Sequence, residues 1–358
     1  MVNRYRKAGD FIMNTLNTNP WESNEQEQKQ RKRWEMRMDR KHFSHIMLGL
    51  LLYTMLSSGL QLIAVTLIQN SGWDYRPYRN LLNMLLMLIC MYGIALPVTA
   101  FYYRYVPKFG FLRHENWEFK AWLVVYIIGS SMGYLGSFIG SMISNISGGT
   151  VESYEMLLDM IFAGNPFLTF LTVAVGAPIA EELLFRKFFI DRTIGYGEKL
   201  SVLLSGLLFG LMHGNFQQFF YAFALGCLFA YIYCKTGKIR YTIFFHMWIN
   251  FRSSILLPML FQPVFSLVFS MDVEAAQMEL TMQMLQSPSM MLICLALCAY
   301  VLIELVIAIA GLVLFFVFKK YICFYPGIRR LPRKQAMIAA ILNPGMLAFL
   351  VLCIIEFF

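Results

Sequence analysis

Long, uninterrupted apolar runs are the feature that most narrows what this chain can fold into. IMLGLLLYTMLSSGLQLIAVTLI (46–68) and MMLICLALCAYVLIELVIAIAGLVLFFVF (290–318) reach or exceed the roughly 20 residues a helix needs to cross a bilayer. In hydrocarbon each backbone N–H and C=O must be satisfied within its own segment, so such runs are helices. Composition agrees: 58% of the 358 residues are hydrophobic and 14% are charged, with a mean hydropathy of +0.56. Soluble domains carry roughly 25% charged residues. The expected fold class is all-α, a polytopic helical membrane protein with about eight or nine transmembrane helices. Nine candidate spans can be drawn, at 43–68, 80–103, 118–145, 166–190, 199–213, 216–234, 241–262, 289–318 and 335–358. The fifth is short and broken by Gly206 and Gly210, and the last contains Asn343, Pro344 and Gly345.

Charge divides the chain into a basic N-terminal tail, 1–42, and a transmembrane bundle, 43–358. The tail segment NEQEQKQRKRWEMRMDRKH reads as a charged helix or a partly disordered stretch. Because this polar stretch precedes the first apolar run, no cleavable signal peptide is expected. Basic residues recur in alternate loops, at 104–117, 186–199, 234–240 and 319–334. The intervening loops 146–165 and 263–288 hold no Lys or Arg, while SGWDYRPYR, with Arg76 and Arg79, breaks the pattern. The positive-inside rule then puts the N-terminus in the cytoplasm. The net charge of +9 is thus a matter of topology and lipid headgroups, as for Arg192, Lys235 and Arg240, and no nucleic-acid partner is expected. The seven cysteines form no CxxC pair, which argues for packing rather than disulfides or thiolate zinc.

An ionisable side chain within a span costs on the order of 2.5–3.5 kcal/mol to insert, so each one is a candidate for function. Glu181 and Glu182 lie in the fourth span, His213 ends the fifth, His246 and Asn250 lie in the seventh, and Glu304 stands in the eighth. Glu356 lies at the C-terminus. Glu182 and Arg186 are four apart and can pair on one helical face. Glu181, turned by about 100°, is left without that partner and can face the bundle interior. Phe209 and His213 share a face, as do His246 and Asn250, so three helices each offer one polar face to a common site. A desolvated glutamate can serve as a general base. Two imidazoles and a carboxylate can also hold a divalent metal such as zinc with a position open for water. Either arrangement activates water for attack on a carbonyl, with an Asn amide or imidazole N–H to stabilise the oxyanion. Glu304 alone reads as packing or a helix–helix hydrogen bond, Asn215 and Gln217 as loop polarity, and FFYAFALG (219–226) as packing surface or else the lining of a substrate groove.

EELLFR (181–186), FGLMH (209–213) and HMWIN (246–250) match, in order, EExxxR, FxxxH and HxxxN. The chain resembles the CPBP family of intramembrane proteases, which includes CAAX-processing type II endopeptidases and bacteriocin-processing or immunity proteins. The likeness covers about 165–255, the expected catalytic core. It implies that Glu181 polarises water and that Glu182 with Arg186 supports it. It also implies that His213 assists or binds metal, with Glu181, and that His246 and Asn250 bind metal or stabilise the oxyanion. The family is usually described as metalloproteases, yet no HExxH signature is present.

The resulting expectation is an intramembrane endopeptidase of a bacterial plasma membrane, acting on a peptide or membrane-protein substrate in the lipid bilayer. The alternative is a non-proteolytic immunity or secretion-accessory protein of the same family. A proton-coupled transporter would show repeat symmetry between two halves, which the sequence lacks. One geometric requirement follows. A straight fifth helix from Lys199 carries His213 about 20 Å away from its start, whereas Glu181 is drawn near the end of its span. The fifth helix is therefore expected to start late or dip, with 193–203 partly interfacial.

Overall fold

The computed structural model describes residues 25–110, 114–147, 152–162, 164–270, 273–329 and 331–357. Among these residues, secondary structure is helical throughout. The chain begins with α1, Glu25–Asn70, whose 46 residues extend about 69 Å, more than twice the bilayer's hydrocarbon thickness. Only its apolar half can be immersed, and the charged half must project. There follow α2 (Arg76–Tyr103), α3 (Phe119–Ser147), the short α4 (Glu152–Phe162) and α5 (Pro166–Tyr196). Next come α6 (Glu198–Leu211), α7 (Phe216–Thr236) and α8 (Ile239–Leu260). The last elements are α9 (Gln262–Ser270), α10 (Val273–Gln286), α11 (Pro288–Phe318), α12 (Arg333–Ile341) and α13 (Pro344–Phe357).

Among the described residues, seven helices are long and apolar enough to cross a membrane: α1, α2, α3, α5, α7, α8 and α11. Together α12 and α13 form an eighth candidate, bent by 61° at Asn343–Pro344. The Asn343 side chain caps the new helix by accepting from the Met346 N–H at 2.9 Å. The expected fifth span is a helix, but its 14 residues cover only about 21 Å and do not cross. It forms a hairpin with α7, packed closely enough that a Cβ on Gly226 would lie 3.0 Å from the Gly206 Cα.

Three stretches of widened, π-helical backbone precede prolines: Met87–Ala95 before Pro97, Phe170–Gly176 before Pro178 and Arg252–Leu256 before Pro258. Proline lacks the N–H and clashes with the carbonyl four residues back, so the turn before it opens instead of breaking. A fourth such stretch, Leu183–Ile190, follows Glu182 without a proline.

The basic loops meet at one end of the bundle. Phe109 N–H donates to the Asp191 carbonyl at 2.7 Å, Glu115 N–H to Lys235 at 2.8 Å, and Arg329 N–H to Gly195 at 2.9 Å. Arg192 and Lys235, expected at the surface with the headgroups, are instead buried. Lys235 pairs with Glu198 at 2.7 Å, and Arg192 donates to the carbonyls of Tyr103, Val106 and Phe188. Charges so deeply placed are retained because each is fully engaged. The opposite end carries α4 and the α2 start, joined by Arg79–Asp159 at 2.8 Å.

Candidate active site

The site is built on α5, the α6–α7 hairpin and α8. Glu181 and Glu182 occupy the single α-helical turn between the two widened stretches of α5. As the four-residue spacing requires, Glu182 and Arg186 pair at 3.1 Å, and both side chains are fully buried. Arg186 also lies over the rings of Phe209 (4.9 Å) and Phe229 (5.6 Å), so aromatic faces replace part of its lost hydration.

His246 joins the two acids. Its Nδ1 is 3.1 Å from Glu182 Oε1, and its Nε2 is 3.5 Å from Glu181 Oε2. Glu182, already bound to Arg186, is an ionised acceptor, so Nδ1 carries the proton it sees. Nε2 then faces the Glu181 carboxylate across a longer, 3.5 Å contact. Glu181 is the acid with access, its side chain 20% exposed. Its electrostatic neighbours include the buried Tyr53 of α1 and Tyr92 of α2.

His213 follows the last turn of α6. Its Nδ1 donates to the Phe209 carbonyl at 2.8 Å, since a carbonyl only accepts, and the neutral ring presents a lone pair at Nε2. Phe209 stands edge-on to both imidazoles, 5.0 Å from His213 and 5.7 Å from His246 between ring centroids. Glu181 and His246 lie within electrostatic reach of His213. Asn215, expected to be loop polarity, fixes this turn: it accepts from Gln218 N–H at 2.9 Å and donates to the His213 carbonyl at 2.7 Å. Gln217 likewise is buried and donates to Ser144 on α3.

The depth requirement is met in a way the sequence did not suggest. Rather than α6 starting late, α5 runs on to Tyr196, so Glu181 lies fifteen residues from its end. Gly197, at φ +113°, then turns the chain so that α6 returns beside α5, with Ser205 Oγ donating to the Phe185 carbonyl at 2.9 Å. Glu181 and Phe209 thereby come to one level. The 193–203 segment is this turn, and Thr193, Ser201 and most of its neighbours are buried against protein.

Asn250, one turn beyond His246 on α8, uses an amide N–H on the Val173 carbonyl at 2.9 Å, in the widened stretch before Pro178. Here it ties α8 to α5. The arrangement therefore brings Glu181, Glu182, Arg186 and His246 into direct contact, sets His213 beside them across Phe209, and uses Asn250 as a tie. Phe209 and Phe229 pack against His246 and Arg186; Phe209 was legible from FxxxH, and Tyr53 and Tyr92 carried no signal. Thr242, four residues before His246 and also facing Glu182, was visible in its spacing.

A metal held by His213, His246 and Glu181 needs all three donors to converge. Among the described residues no group of three His, Cys, Asp or Glu side chains does so. The His246 nitrogens are both directed at carboxylates, and the present arrangement does not fit a resident metal.

Glu304, read from sequence as solitary, is part of a second buried cluster. It accepts from Tyr134 of α3 and Arg252 of α8, and Arg252 also donates to the Tyr134 hydroxyl at 2.8 Å.

Residues 163–252 match the protein family described as Rce1-like, type II CAAX prenyl endopeptidase. A Bacillus subtilis (strain 168) protein named "Putative membrane peptidase YdiL" is 32% identical over 103 residues, 28% of this chain and 40% of the relative. The chain thus spans less than half the length of that relative. No solved structure matches the chain. The matched segment contains all three motifs, α5 to α7 and most of α8, so over residues 163–252 the likeness read from EExxxR, FxxxH and HxxxN is supported by both similarities.

Proposed function

We propose that the protein is an intramembrane endopeptidase that hydrolyses a peptide bond with a water activated by Glu181 and the neighbouring histidines. The observation that carries this reading is the Glu181–His246–Glu182–Arg186 array. Arg186 neutralises Glu182, Glu182 fixes the His246 ring through Nδ1, and Nε2 faces, at 3.5 Å, the acid of the pair that has access. Glu181 takes a proton from water as the oxygen attacks the scissile carbonyl carbon. His246, or Glu181 itself, returns that proton to the departing amine nitrogen as the C–N bond breaks. His213 Nε2 supplies a further acceptor for orienting the water. An array with a fixed second carboxylate resembles the way an orienting acid sets a catalytic imidazole elsewhere.

The substrate is a peptide that reaches the site from the bilayer or from the basic end: a lipidated tail, a leader peptide or another membrane protein. Cleavage of prenylated tails requires a host that prenylates. The bacterial plasma membrane, with the N-terminus cytoplasmic, is the setting that fits the loop charges.

The test is cleavage of lipidated and leader-type reporter peptides by the full chain in lipid nanodiscs, wild type against Glu181→Gln. Loss of cleavage in a variant that folds normally is expected, and retained cleavage would reject the mechanism. A cellular phenotype that survives in Glu181→Gln, with no cleavage by either form, would favour the non-proteolytic alternative. A chelator in the same assay decides the metal: unchanged cleavage fits the direct contacts described above, whereas loss restored by zinc would require His213, His246 and Glu181 to rearrange around an ion.

A further inference from the structure

At the basic end, about 22 Å along α5 from Glu181, a cavity of about 340 Å³ opens between α1, the ends of α2 and α5 and the loop that carries Arg329. It lies where α1 passes from MDRKH to the apolar run, the level at which phospholipid headgroups meet a span. Its walls include the rings of Tyr102, Phe109 and Tyr196, and its polar groups are Asp39, His42 and Arg329.

The hydrogen bonds of these groups define what the cavity can accept. Asp39 is 2% exposed; its Oδ1 accepts from Tyr196 OH at 3.0 Å and forms an ion pair with Arg329, whose Nε is 2.6 Å away. The other oxygen, Oδ2, is buried and has no hydrogen-bond donor. An ionised oxygen in that state costs free energy until a donor reaches it. His42 Nε2 is bound to the Arg192 carbonyl at 2.9 Å and must donate there, which leaves Nδ1 of the neutral ring as an acceptor. The interior thus presents acceptors and ring faces, the surroundings preferred by an ammonium group. Arg329, 38% exposed, supplies the opposite charge at the edge, and Tyr105 of the lining is 59% exposed. An anionic group outside an ammonium would meet Arg329, with the exposed Arg104 and Lys108 nearby in the chain.

We propose that this cavity binds the headgroup of a zwitterionic phospholipid, its primary ammonium on Asp39 and His42 and its phosphate on Arg329. The Asp39–Arg329 pair is itself a zwitterion, and a phosphoethanolamine group is its complement. Such a lipid would join α1, α2 and the loop that carries Arg329, and this site does not depend on the protease reading.

Native mass spectrometry of the full chain in detergent, offered phosphatidylethanolamine or phosphatidylglycerol, tests the assignment. Wild type is expected to retain phosphatidylethanolamine at least about tenfold better, the equivalent of one charge-assisted hydrogen bond. Asp39→Asn, nearly isosteric, is expected to abolish that preference, with folding checked by elution and thermal unfolding. Should it fold poorly, Tyr105→Ala at the exposed mouth is expected to reduce retention several-fold. Equal retention of the two lipids by wild type, or an undiminished preference in Asp39→Asn, would overturn the proposal. Protection by soluble phosphoethanolamine without any preference among intact lipids would assign the cavity to a free solute and overturn the lipid assignment.

Discussion

Two buried acid clusters lie on either side of Asn250 in α8, and they are built to different ends. Around Glu304 both carboxylate oxygens are taken, one by Arg252 and one by Tyr134, and those two partners bind each other. The result is a closed knot joining α3, α8 and α11. Around Glu181 the array is open. Glu182 and Arg186 are closed upon each other, but Glu181 keeps access and only a 3.5 Å contact with His246, while His213 presents an unprotonated Nε2. Burial of an acid in a membrane bundle is therefore not by itself a mark of chemistry. What separates the two clusters is unspent hydrogen-bonding capacity directed at a common space.

That contrast can be broken by substitution. The largest effect is expected from Glu181→Gln, which should lower single-turnover cleavage by about 10²–10⁴-fold, the usual contribution of a general acid–base group. Its unfolding free energy should shift by no more than about 0.5 kcal/mol, as for other partly exposed positions outside a closed network. Glu304→Gln should do the reverse, lowering stability while sparing the chemical step. A Glu304→Gln variant that folds normally yet loses cleavage would erase the distinction.

Next in size are the arginines. Arg186→Ala leaves Glu182 in a fully buried place without its cation, with an expected loss of about 3–5 kcal/mol. Denaturant unfolding in mixed micelles measures it, and cleavage should fail with it because His246 loses its fixed partner. Arg252→Ala should cost less, about 1–3 kcal/mol, because its cluster is slightly exposed and Tyr134 still serves Glu304. The order of the two losses is the informative quantity.

Charge-neutral double substitutions sharpen the comparison further. Replacing a buried pair by apolar residues of similar volume is often neutral for stability. Arg252→Met with Glu304→Leu should therefore regain most of the stability lost in Arg252→Ala and keep cleavage. Arg186→Met with Glu182→Leu should regain stability without cleavage, since nothing then orients His246. Recovery of cleavage in the second double variant would show that the Glu182–Arg186 pair is a strut only.

The smallest effect is expected from Asn250→Ala, which removes one neutral hydrogen bond to Val173 and should cost about 1 kcal/mol. If cleavage falls by much more than the corresponding roughly tenfold, Asn250 also acts on the oxyanion, as the HxxxN likeness implies.

Much of the site was legible along single helices. The Glu182–Arg186 pair follows from a spacing of four, and so do the Phe209–His213 contact and the shared face of Thr242, His246 and Asn250. The division between a held acid and an accessible one was also readable, because adjacent residues point about 100° apart. Loop charges foretold which loops would meet at one end. Four points escaped: the Arg252 partner of Glu304, the burial of Lys235 and Arg192, the Asn250–Val173 tie and the depth of Glu181. Each depends on a neighbour that is not in the same helix, or on where a helix stops.

The sequence by itself determined that this chain is an all-helical membrane bundle, and it singled out the six residues around which a site could form. Apolar length and helical periodicity are local properties, set by bilayer thickness and by 3.6 residues per turn. Tertiary structure alone decided which valences are spent. The proline-linked widened turns of α5 and α8 rotate later side chains away from any simple helical wheel. The Gly197 turn brings α6 back at the level of Glu181, and close α6–α7 packing puts Phe209 between the two histidines. Hydrogen-bond capacity is settled by atoms that meet across helices, and the sum of those meetings leaves Glu181 as the acid of the pair with access.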